Sequence, residues 1–451
     1  MPRSFDVVIC GAGISGVSAA FFLSRQGVKN ILLLDERPPL SLTSDRSTEC
    51  YRNWWPDNQM LALMNRSIDL LEELAGQSGN IFNMNRRGYL YVTADEGKIP
   101  ALIERSQRTS QRGAGPLRVH TAQACSYQPA PPEGFSAQPA GADLLLGTDL
   151  VHRFFPYLSE KAVAALHVRR AGWLSAQQLG RYLLETARSR GVRFEAKRVV
   201  AVDVENNRVR GVRLGDGERL FSPIFINAAG PFLKQVGQML GIDLPVYTEL
   251  HLKAAIRDVL GVVSRDAPLL IWDDPQMLPW TDEEKAALAS DPPTRWLTEP
   301  LPAGVHTRPE GGRDSQVILM LWEYRTKRME PIWPPPLDEN YPEIVLHGLA
   351  TMLPAMRQYF ERIPRPALDG GYYTITRENR PLVGPLPIEG AFVIGAVSGF
   401  GIMSACACGE LLAAHVSGSD LPAYAPAFHP GRYENAEYQK QLETWDDTGQ
   451  L

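Results

Sequence analysis

At 451 residues the chain exceeds one simple core, and roughly 150 residues per domain points to two or three. With 44% hydrophobic residues, 22% charged residues and a net charge of -5, its composition is that of an ordinary globular enzyme, gives no footing for nucleic acid or an anionic membrane, and makes a small molecule the expected partner. Cys10, Cys50, Cys125, Cys406 and Cys408 lack C-x-x-C spacing, so neither a disulfide framework nor a metal site is expected; with no apolar run of the ~20 residues that cross a bilayer and no room for a secretory signal before the first strand, the expected compartment is the cytoplasm.

The first element group is "FDVVICGAGISGVSAAFFLSRQGVKNILLLDE", an apolar strand, a glycine turn, a helix ending at Gly27 and a second apolar strand. Gly11 permits the turn, Gly13 lets the backbone approach a pyrophosphate, and Gly16 lets the helix pack against the sheet. Ile14 and Ser15 open the helix, whose unpaired N–H groups and positive dipole end suit phosphates. Asp35 ends the second strand, where a carboxylate accepts both ribose hydroxyls; Glu36 is the alternative by one register, with Arg37 beside it. This fingerprint predicts a dinucleotide without separating NAD from FAD.

Next comes "STECYRNWWP", residues 47–56. Ser47 and Thr48 are hydrogen-bond donors suited to a cofactor. Arg52 presents a planar fork for a carboxylate, or alternatively stacks on Trp54 or Trp55 at a domain seam. The stretch 172–232 predicts a helix, a strand near 193–202, a hairpin turning at "ENN" and "GDG", and a buried strand running into Asn227, Ala228, Ala229, Gly230 and Pro231. From 87 to 149 and from 244 to 369 the pattern changes to short strands with proline-rich turns. Within it, 279–312 is long, charged and proline-rich, and is expected to break the sheet as a solvated excursion, a lid or a partner surface. Residues 369–418 end in strand, glycine-rich turn and helix, a second such turn that the first motif does not explain. There Gly395, Gly399, Phe400, Gly401, Ile402 and Met403 would set backbone N–H groups and a helix N-terminus beside a ring that gains negative charge on reduction. Cys406 and Cys408 point to different sides of that helix and are expected to pack. The segment after 428 reads as a polar tail covering the fold.

In this order, the fingerprint, "GWL", "KRV", "NAAGP", "RPLVGP" and "GAVSGFG" make the chain similar to the D-amino acid oxidase family of FAD-dependent oxidoreductases, with its glycine and sarcosine oxidases and dimethylglycine dehydrogenases. The resemblance implies an α/β chain (α+β overall): a Rossmann-like FAD-binding domain from 1–86, 150–243 and 370–451, and an inserted antiparallel β-sheet substrate domain from 87–149 and 244–369. It implies that the Val199 backbone meets the adenine, that Gly230 lies near the adenosine, and that Arg52 matches the arginine that anchors a substrate carboxylate. Gly371 stands where the sarcosine oxidase pattern has its tethering cysteine, so FAD is expected to be non-covalent. Phe400 and Met403 replace a histidine and a lysine, which favours a larger or less polar substrate.

Candidate polar groups of the substrate cavity are His251 and Lys253, Glu323 and Tyr324, and Tyr372 and Tyr373, of which strand alternation lets only one of each adjacent pair face inward. The expected chemistry is oxidation of a C–N bond in an amine or amino acid, with O2, a quinone or an electron-transfer protein as acceptor. The alternatives are a hydroxy acid substrate or a non-enzymatic flavoprotein subunit. No metal is expected, and the oligomeric state is not legible.

Overall fold

The computed structural model describes residues 3–445. A six-stranded sheet runs in the order Leu382–Pro385, Ala391–Gly395, Ile224–Asn227, Val7–Cys10, Ile31–Asp35, Arg193–Ala196. All its neighbours are parallel except the first pair. Because both faces are covered, its central strands are continuously apolar: Val7, Val8, Ile9, Leu32 and Leu33 are fully buried. Helices Ile14–Arg25 and Gly401–Ser417 cross on one face, where Ser18 Oγ donates to the Ala405 carbonyl at 2.7 Å. At their contact Gly409 leaves no room for a larger residue, since a Cβ there would lie 2.3 Å from Ser18 Oγ.

The strand expected near 193–202 is two strands. Arg193–Ala196 ends the large parallel sheet, and Val199–Glu205 begins a separate three-stranded sheet with Arg208–Leu214 and Arg219–Phe221. The hairpin turns at Asn206 and Asn207, both left-handed (φ 52° and 57°), a conformation that asparagine tolerates.

The second module is a nine-stranded sheet, in the order Ala367–Ile375, Tyr247–Arg257, Val317–Leu321, His306–Pro309, Leu269–Trp272, Tyr89–Thr93, Ala164–Val168, Ala142–Leu146, Leu117–His120. Three sequence expectations need correction. The sheet is mixed, since Leu269–Trp272 runs parallel to Tyr89–Thr93 and Leu117–His120 parallel to Ala142–Leu146. It also takes Ala164–Val168, from a stretch assigned to the FAD domain, because that strand buries all five residues between two antiparallel neighbours. Finally, 279–312 does not wholly leave the sheet: Asp282–Ser290 is an exposed helix, but His306–Pro309 is an interior strand with Arg308 fully buried. Helices Ile99–Thr109 and Tyr341–Met352 interrupt stretches read as strands and turns.

The polar segment after 428 is anchored rather than merely draped. Arg432 is buried against Glu378, donating from Nε and Nη2 to one carboxylate oxygen at 3.0 and 2.7 Å. Among the described residues, no helix is long and apolar enough to cross a membrane.

Candidate functional site

A groove of about 540 Å³ runs across the C-terminal ends of the parallel strands, the usual ligand position in such sheets. At one end is the first glycine turn. Gly11 has φ +109°, and a Cβ would fall 2.3 Å from the Ala228 carbonyl oxygen, so only glycine fits. Gly16 faces the packing, where a Cβ would meet the Gly11 oxygen at 1.8 Å. The Asp35 carboxylate, at the mouth, accepts from the Ala12 and Arg37 amides at 2.8 and 3.0 Å. Ser44 Oγ, unsignalled in the sequence, accepts from the Ile14 amide at 3.0 Å.

Two helix N-termini open on this groove, those of Ile14–Arg25 and Gly401–Ser417, and neither N-cap residue makes a side-chain cap. The positive dipole ends of these helices can answer a pyrophosphate at one end and an electron-rich ring at the other. Val199, Ala229, Gly230, Ser47, Thr48, Glu36, Arg37, Gly395 and Gly399 line the groove between them, with Gly13, Ile14, Ser15, Gly401 and Ile402 at the helix ends. Gly371 is also on the wall, and no thiol stands there. A long groove with glycine-lined turns, a carboxylate at one end and helix dipoles at both fits FAD.

The Ser47–Thr48 wall is held from the other module. Lys253 Nζ donates to the Ser47 carbonyl at 3.0 Å, and Arg308 donates twice to the Thr48 carbonyl, at 3.2 and 2.8 Å. Arg308 also pairs with Glu49 and Glu310 and stacks on Trp173. Sequence reasoning missed it because it lies in the stretch read as solvated.

A smaller cavity of about 50 Å³ joins the groove through shared walls at Thr48, His251, Leu321, Tyr373 and Gly399. Arg52 lies on it, from the short strand Cys50–Arg52, with its guanidinium 4.6 Å from the Trp55 ring centroid and 5.8 Å from that of Tyr89. The guanidinium thus stacks on Trp55 while lining the cavity. Phe400 and Met403 line this cavity, and Trp55 meets the Phe400 ring edge-on at 5.1 Å. Cys50 is buried on the same wall, with Sγ 3.2 Å from the Thr48 carbonyl; burial raises its thiol pKa.

The remaining candidates separate. His251 and Glu323 face the cavity, and His251 stacks on Tyr373 with centroids 3.7 Å apart. Tyr373, not Tyr372, is the inward member of its pair: the Tyr372 hydroxyl is taken by the Ile332 backbone, at 3.0 Å to both N and O. Tyr324 does not line the cavity and is half-buried against the core of the second module, stacked between Trp296 and Tyr341. His306 joins the cavity unannounced; burial lowers its pKa, keeping it neutral. Among the described residues no group of three His, Cys, Asp or Glu could hold a metal.

A parallel dinucleotide sheet, a continuous groove and a second sheet roofing one end together define a two-module flavoprotein. Residues 6–415 match the family described as FAD dependent oxidoreductase, and the chain belongs to this D-amino acid oxidase-type family, as an FAD-dependent oxidoreductase. It is 22% identical over 271 residues to the mitochondrial dimethylglycine dehydrogenase of Rattus norvegicus, a match covering 59% of this chain and only 28% of that protein. It is 25% identical over 449 residues to FAD-dependent oxidoreductase domain-containing protein 1 of Bos taurus, covering 91% and 81%. Its fold is similar to that of the L-proline dehydrogenase from P. horikoshii, with a TM-score of 0.73, 18% identity, and coverage of 96% and 99%.

Proposed function

We propose that the chain oxidises a C–N bond in an amine or amino acid, with Arg52 anchoring the substrate's carboxylate. The observation that carries this reading is the small cavity continuous with the FAD groove, where a buried guanidinium, a glutamate and aromatic faces converge. Relatives of the chain include proteins named for dimethylglycine and proline oxidation, whose substrates share a substituted nitrogen beside a carboxylate.

The glycine turn, Asp35 and the two helix ends would hold FAD, which when bound would supply a two-electron acceptor for oxidation beside nitrogen. The residues here bind, orient and dry the substrate. Arg52, oriented by stacking on Trp55 and by its Nε donating to the Trp54 carbonyl at 3.3 Å, would turn its guanidinium edge to a carboxylate. Trp55, Phe400 and Met403 keep water out of the cavity.

An anaerobic screen of amines, amino acids and hydroxy acids, following loss of the oxidised flavin band, tests the reading. Bleaching by amino acids and not by hydroxy acids is the expected result; bleaching by hydroxy acids alone would overturn it. Replacing Arg52 with Met should raise KM about 100-fold, or roughly 3 kcal/mol, with a much smaller effect on flavin reduction at saturation. An unchanged KM for every acidic substrate would remove the anchor.

A further inference from the structure

Residues 329–333 belong to the second module but reach the rim of the FAD groove. Met329 pairs with Thr248 of strand Tyr247–Arg257, its amide donating to the Thr248 carbonyl at 2.9 Å and its own carbonyl accepting from Thr248 Oγ. The Ile332 amide donates to the Tyr372 hydroxyl, which in turn donates to the Ile332 carbonyl, both at 3.0 Å. From these anchors two side chains extend to the rim. Glu330 Oε2 lies 3.5 Å from Gln235 Nε2, on helix Leu233–Gln238, and the half-buried Trp333 ring packs against the guanidiniums of Arg37 and Arg46, each 5.9 Å from its centroid. Gln235, Arg37 and Arg46 line the groove, whereas Glu330 and Trp333 meet them from outside it.

The strand order gives these contacts a direction. Gln235 follows strand Ile224–Asn227 and Arg37 follows Ile31–Asp35, the two strands that flank Val7–Cys10, whose end makes the glycine turn. Two sheet spacings separate the flanking strands by about 10 Å, and three residues of extended chain span roughly the same distance. Glu330 and Trp333, three residues apart, thus bridge the two walls across the end of the glycine-turn strand. The ties to the rim are weak: an exposed contact at the limit of hydrogen bonding, and two cation–π contacts at the edge of their reach to guanidiniums already paired with Glu36, Asp45 and Asp369. Ile332 is 57% exposed, so the segment can lift without drawing its side chain out of either core.

We propose that residues 329–333 are a strap that the second module lays across the mouth of the FAD groove, with Trp333 as its latch, and that FAD enters and leaves only while the strap is lifted. A strap that closes equally over the empty and the loaded groove slows entry and release by one factor, the fraction of time that it spends open, and leaves the affinity unchanged. A residue that binds FAD acts otherwise: its loss quickens release and leaves entry as it was. No residue of the strap or of its ties lines the small cavity, so the proposal stands apart from the substrate reading.

Entry is read by mixing FAD with the apoprotein, and release by diluting the FAD-loaded protein, both from flavin fluorescence. Trp333→Ala should quicken both by about tenfold, the combined effect of two exposed cation–π contacts, and leave the dissociation constant within about threefold of wild type. Trp333→Phe, which keeps a ring for the two guanidiniums, should recover much of the wild-type slowness. Tyr372→Phe, which frees Ile332 and leaves the rim intact, should quicken both rates in the same way. Unchanged rates in Trp333→Ala would overturn the strap. Release quickened alone, or a variant that takes up no flavin, would overturn it too, and would make Trp333 part of the binding site itself.

Discussion

The steric demands on Gly11 and Gly16 were legible at the level of single residues because they are local: a tight turn and a helix packed on its own strand both fall within one short stretch. The cavity residues were legible only as candidates. Strand alternation leaves the choice between Tyr372 and Tyr373 open until a neighbour takes one of them, and the Ile332 backbone takes Tyr372. Nothing near His251 in sequence announces Glu323, which arrives at the cavity from a separate strand end. Their pairing has a measurable consequence. The His251 pKa is raised above its unfolded value of 6.5 to about 9, so its stabilising contribution is complete below pH 6.5 and is lost as pH climbs through about 9. At about 1.4 kcal/mol per pH unit, the contribution reaches up to about 3 kcal/mol. The melting-temperature gap between wild type and His251→Asn should therefore narrow steadily from pH 6 to pH 10. A gap independent of pH would mean that the imidazole is neutral throughout.

Individual elements were legible where hydrophobic period and punctuation agree, as in the first strand, helix and strand. They were missed where tertiary pairing overrides a local signal. The prolines and charges around His306–Pro309 read as loop, yet the strand is interior because Arg308 finds Glu49, Glu310 and the Thr48 carbonyl inside the protein. Arg432 after residue 428 is a parallel case: a guanidinium read as surface is buried on Glu378, whose carboxylate also accepts from the Tyr433 and Tyr438 hydroxyls at 2.8 and 2.9 Å. Removing the cation alone strands a buried carboxylate, so Arg432→Met should cost about 3–5 kcal/mol in urea unfolding. Adding Glu378→Gln should recover a large part of that loss. A single variant as stable as wild type would show that the two tyrosines suffice.

For the whole molecule, the order of motifs gave the two-module plan, because the family's landmarks keep their sequence even where identity is low. Boundaries were not legible in the same way: Ala164–Val168 and Ala367–Ile375 join the large sheet through pairings that no local pattern encodes. At this scale the mode of cofactor attachment becomes testable. Gly371 occupies the groove wall where a tether would stand, and the Cys50 thiol faces the smaller cavity. Acid precipitation should thus leave the yellow colour in the supernatant, whereas colour retained in the pellet would reveal a covalent link.

The strand order carries a further consequence for biosynthesis. The six-stranded sheet places Ala391–Gly395 beside Ile224–Asn227, with Val7–Cys10 next in line, and the groove wall extends from Cys10 to Ile402. A nascent polypeptide therefore makes its first glycine turn almost four hundred residues before the opposite wall, so riboflavin-derived cofactor can be captured in full only once Ile402 has left the ribosome.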